Sequence, residues 1–90
     1  MAIAKYDFEG MRQQAGKVKK GAADLSNLIN TIDGVISEMA GAWSDPAQQK
    51  FEQQWAEMSA KLKQYVPVIE EYGNAVNSHA DKIEQAGSGI

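Results

Sequence analysis

The chain contains no cysteine, a single histidine and only two prolines in its 90 residues. Without cysteine there can be no disulfide, no thiolate metal ligand and no thiol nucleophile, so the usual staples of small secreted folds are excluded. His79 alone cannot supply the three or four ligands of a zinc site, and its spacing to Asp81 and Glu84 fits no standard metal pattern. Nucleophilic catalysis needs a base beside an activated hydroxyl. Ser78 adjoins His79 in sequence, but successive residues of a helix point in different directions. The glycines are dispersed rather than gathered into a phosphate loop, and Glu52, Glu57, Glu70 and Glu71 fall on solvated helix faces with no pocket to make one of them a general acid. The expectation is a protein that is not an enzyme and holds neither cofactor nor metal.

Long apolar runs are also missing. None exceeds four residues, far short of the roughly 20 that span a bilayer as a helix. Residues 1–5 lack the charged and apolar regions of a cleavable signal peptide, so any export is expected to use another route, from the cytoplasm and without cleavage. The net charge of −3 leaves little counter-ion release onto phosphate, and Lys17, Lys19 and Lys20 spread around one helix instead of lining a groove. Nucleic acid is not an expected partner. Stable membrane insertion is not expected either, because no basic amphipathic face remains once the apolar residues are committed to packing.

What the sequence does have is periodicity. Phe8, Met11, Ala15, Val18, Ala22, Leu25, Ile29, Ile32, Ile36 and Met39 alternate steps of three and four, and so do Phe51, Trp55, Met58, Leu62, Tyr65, Ile69, Tyr72, Val76, His79 and Ile83. Such a ladder is the seam of a helix that packs on another helix. Each ladder is about 47 Å long at about 1.5 Å per residue, so a fold at Trp43 lays one along the other. This predicts an all-α, long antiparallel two-helix hairpin, with helix one over about 7–40, a Trp turn at 41–45, helix two over about 46–86 and a frayed tail at 87–90. Paired by position, Met39 lies near Phe51, Ile32 near Met58, Leu25 near Tyr65, and Phe8 near Ile83. The positions expected to carry most of the seam are Leu25, Ile29, Ile32, Trp55, Leu62 and Ile69.

The ends carry their own signals. Asp7 suits an N-cap, with Glu9 in the first turn, and Gly41 suits the left-handed residue that closes a helix. Asp45, Pro46 and Gln48 match a cap, a first helical residue and a side chain reaching back to the cap amide. Pro67 should bend helix two from its outer face. A two-helix hairpin leaves half of its seam wet, and domains this small seldom reach adequate stability alone. Leu28, Val35, Val66 and Val68 widen the apolar stripe beside the seam, so the chain is expected to pair through them into a four-helix bundle. Trp43 then stands at the hairpin tip, either as a plug folded back on the end or as a recognition element.

A helical pair of this length with a central Trp turn resembles the WXG family of early-secreted-antigen-like proteins, over roughly residues 3–86. The matching turn is Trp43-Ser44-Asp45-Pro46-Ala47, followed by Phe51 at the family's aromatic position, with Asp45 where the family has glycine. Neither Tyr65 nor Tyr72 begins the Tyr-x-x-x-Asp/Glu export signal that many members carry, since Ile69 and Val76 occupy the fourth positions. The resemblance implies a substrate or co-secreted partner of a type VII secretion system in Gram-positive bacteria. It further implies Trp43, Ser44 and Asp45 as a recognition turn, and partnership with a second copy or a related WXG-type protein and with the secretion ATPase. A member without the export signal is expected to rely on a partner that supplies it. Two other readings stay open at this stage: a helical chaperone or adaptor bound to a larger secreted toxin-like protein, and a coiled-coil adaptor unrelated to secretion.

Overall fold

The structure, a computed structural model, describes residues 6–88, so the expected loose lead at 1–5 and the last two tail positions lie outside it. It consists of two helices, α1 (Phe8–Ala42) and α2 (Pro46–Ser88), folded into an antiparallel hairpin of 68 × 20 × 18 Å. Its radius of gyration of 20.5 Å compares with about 12 Å for a compact domain of this length. The exposed surface of 6859 Å² exceeds by about 1,700 Å² what a compact monomer of this mass would show.

Helix α1 begins as its sequence dictates. The Asp7 carboxylate accepts from the Gly10 amide at 3.0 Å, which satisfies one of the unpaired donors of the first turn. Its other end differs from expectation. Gly41 lies inside the helix, the cap is Trp43 in extended conformation (φ −154°, ψ 148°), and no described residue has a positive φ. The Trp43 amide donates to the Met39 carbonyl at 2.9 Å, so the last turn closes without a left-handed residue.

Asp45 caps α2, accepting from the Gln48 amide at 2.8 Å. The Gln48 side chain does not reach back to the cap; it donates forward to Glu52 at 3.1 Å and is itself buried, 2% exposed. Pro67 sits within an unbroken α2, on its exposed side. The helix also runs through Ser88, past the expected end near 86.

All ten rungs of the α1 ladder are buried or half-buried, with Ala15, Ala22 and Ile29 fully withdrawn. On α2 only every second expected rung faces α1: Trp55, Leu62, Ile69, Val76 and Ile83. The rungs between them are Ser59, Val66, Gly73 and Ala80, not Met58, Tyr65, Tyr72 and His79, which are exposed. The physical reason is helix separation. Toward the open end the backbones come so close at Ala15 that a Cβ on Gly73 would lie 3.0 Å from the Ala15 carbonyl oxygen and 2.6 Å from Lys19 Cγ. Only a small residue fits such a rung, and a tyrosine one position earlier must turn aside. Val66, expected on the partner face, is therefore half-buried in the seam.

Candidate functional site

Two surfaces of this hairpin stand out, its tip and one of its long faces. At the tip, the Trp43 ring meets Phe51 edge-on, with centroids 6.5 Å apart and planes at 74°, a favoured geometry for aromatic pairs. Trp43 remains 40% exposed and Phe51 48%, so the indole leans on the second turn of α2 without being covered by it. Asp45 is held by its cap bond, and Ser44 lies exposed between the two. The turn thus presents an indole, a hydroxyl and a carboxylate on a backbone pinned at both helix ends.

The long faces are chemically opposite. Arg12 and Asp33 follow the rungs Met11 and Ile32 on α1, and both reach across to α2. Arg12 donates to Asp81 at 2.7 Å and also pairs with Glu84. These bonds, that to Asp81 first, hold its guanidinium pKa above the ordinary value. Asp33 accepts from the Trp55 indole N–H at 2.6 Å and faces the Lys63 ammonium at 3.5 Å. A shallow groove of about 380 Å³ beside Asp33, Trp55 and Lys63 is lined by both polar and apolar side chains. The side-chain bonds of Arg12 and Asp33 to α2 lie on one and the same face.

Leu28 and Val35 precede their rungs, Ile29 and Ile36, which places them on the other side of α1. On α2 the residues preceding Ser59, Val66 and Gly73 are Met58, Tyr65 and Tyr72, again on the side away from the ion pairs, and Phe51 continues their row one heptad toward the tip. These six residues, with Val68 at the edge, are between 48% and 63% exposed. Together with Trp43 and Tyr6 they make up all the large exposed apolar side chains of the described residues. Of the four positions expected on this face, Leu28, Val35 and Val68 lie there and Val66 does not. The seam positions Leu25, Ile29, Ile32, Trp55, Leu62 and Ile69 all lie between the helices. The residues that sequence reasoning placed elsewhere are Phe51, Met58, Tyr65 and Tyr72. The signal that would have found two of them is the small residue that follows, Ser59 after Met58 and Gly73 after Tyr72.

No described helix is long and apolar enough to cross a membrane, and no described cluster of carboxylates and histidine has metal-binding geometry. A helical hairpin with a tryptophan turn at its tip defines a class, and a family model for it, WXG100, described as proteins of 100 residues with WXG, matches residues 4–88. The chain belongs to this family. Among its relatives, the type VII secretion system extracellular protein A of Staphylococcus aureus is 25% identical over 85 residues, covering 94% of this chain and 88% of the relative. The secreted protein EsxB of Bacillus anthracis has a similar crystal structure, with a TM-score of 0.82 and 28% identity over 97% of this chain and 99% of that one. A second crystal form of that protein gives a TM-score of 0.84 over 94% and 99%.

Proposed function

We propose that this chain is an exported protein of a type VII secretion system that performs no chemistry and acts through its helical surfaces. Before export it resides in the cytoplasm, and it leaves without a cleaved signal peptide. The one-sided apolar face carries the reading. Leu28, Val35, Met58, Tyr65, Val68 and Tyr72 stand in solvent on a chain whose exposed surface exceeds that of a compact monomer by about 1,700 Å². A standard interface removes about 800 Å² from each partner, so a second copy or a related WXG-type protein laid on this face relieves the excess and closes a four-helix core. The pinned Trp43-Ser44-Asp45 tip is left free to meet the secretion ATPase. The names borne by the relatives support the secretion context.

The test is immunodetection in culture supernatant from strains with and without the secretion ATPase, for wild type and Trp43→Ala. Wild type should appear only with the ATPase. Trp43→Ala should remain helical and stay inside the cell. ATPase-independent appearance, or retention of wild type in both strains, contradicts the proposal.

A further inference from the structure

Met58 stands at the centre of the apolar face. The register set by Trp55 opposite Asp33 and Gly73 opposite Ala15 brings it between the levels of Leu28 and Val35, with Phe51 and Tyr65 one heptad away on either side. It is 53% exposed, whereas Met11 and Met39, the other described methionines, are half-buried in the seam. The chain has no cysteine to intercept an oxidant first. Among the described residues the most accessible soft sulfur therefore lies in the middle of the surface offered to a partner.

We infer that Met58 is a reversible oxidation site that releases the partner, an inference resting on the partner face proposed above. The oxidant is a peroxide. With hydrogen peroxide, the thioether lone pair attacks one oxygen, the O–O bond breaks, and that oxygen stays on sulfur as the sulfoxide while its proton passes to the departing hydroxide, which leaves as water. Sulfur loses two electrons and the peroxide gains them. The product replaces a flexible apolar group with a strong hydrogen-bond acceptor. Buried in an apolar interface without a donor, such an acceptor is costly. Linkage works in both directions: association shields the sulfur, and oxidation disfavours association.

Sedimentation of the purified full chain, before and after hydrogen peroxide, with sulfoxides mapped by mass spectrometry, tests this in wild type and Met58→Leu. We expect Met58 to oxidise first, and faster on dilution. Oxidised wild type should associate at least about tenfold more weakly, equivalent to about 1.4 kcal/mol, and methionine sulfoxide reductase should restore it. Met58→Leu should stay associated after the same treatment. An equal loss in Met58→Leu, or unchanged association of fully oxidised wild type, overturns the inference and leaves the partner face standing. A wild-type chain that is monomeric before oxidation, alone and with a co-expressed WXG-type neighbour, overturns both.

Discussion

Replacing Gly73 by alanine measures how closely the two helices approach. In an open helix interior the change stabilises by about 1 kcal/mol, because alanine loses less backbone entropy than glycine. At Gly73 the new methyl would sit 3.0 Å from the Ala15 carbonyl oxygen and 2.6 Å from Lys19 Cγ. The lysine can turn away in part. The carbonyl belongs to α1 and can move only with the helix, and overpacking of this kind costs about 1–3 kcal/mol. The net effect of Gly73→Ala is thus a loss of between zero and about 2 kcal/mol. Gly34 supplies the control, since a Cβ there meets nothing within 4 Å, and Gly34→Ala should gain up to about 1 kcal/mol. For a domain of this size 1 kcal/mol moves the Tm by about 4–8 °C. Melting curves from far-ultraviolet circular dichroism, at one protein concentration because partner binding shifts apparent stability, should place the two variants on opposite sides of wild type. A Gly73→Ala protein that melts as high as Gly34→Ala would refute the close approach.

Ile29 is 1% exposed and is the one large side chain fully buried among the described residues, so Ile29→Ala should cost about 2–5 kcal/mol in urea unfolding. Asp45→Ala removes the cap of α2 and should cost about 0.5–2 kcal/mol, most of it recovered by Asp45→Ser; equal losses in both would mean that the carboxylate does something other than cap. Arg12→Ala breaks two exposed ion pairs and should lower the Tm only slightly. That difference should fade in 1 M salt, and a larger, salt-insensitive loss would place Arg12 in the packing instead.

The hairpin and the α1 seam are legible in the sequence because α1 carries an apolar residue at every three-or-four step from Phe8 to Met39. The pairing is not, since Asp33 meets Trp55 and Ala15 meets Gly73, two positions from the expected register. On α2 two ladders are available. One alternates Trp55 and Leu62 with the bulky Met58 and Tyr65; the other alternates them with Ser59 and Val66. Ranked by hydrophobicity, the bulky ladder wins. Packing selects the other, because the close approach at Ala15 leaves no room for a large side chain at Gly73. The clue was present in Gly73, a missing side chain at the rung that meets Ala15, but it is a clue about distance, which hydropathy does not encode. The same error hid four of the seven residues of the exposed apolar face, Phe51, Met58, Tyr65 and Tyr72. Asp33 and Trp55 form a bond between helices whose 22-residue separation no local pattern reveals. The caps were legible where a side chain meets its own helix, at Asp7 and Asp45. They were misjudged where the backbone had a free choice, at Gly41.

The backbone conformation of the tip has a practical corollary. Because the chain reverses there without a single left-handed residue, no position in the turn is reserved for glycine. Asp45 stands where glycine is the family's residue at no conformational cost, and it uses its side chain as a cap. In a saturation scan of residues 43–45, the tolerated substitutions would therefore sort by what their side chains can do: asparagine or serine in place of Asp45 should survive selection better than glycine. The tip is in that sense a cassette whose chemistry can be rewritten while the hairpin that carries it stays the same.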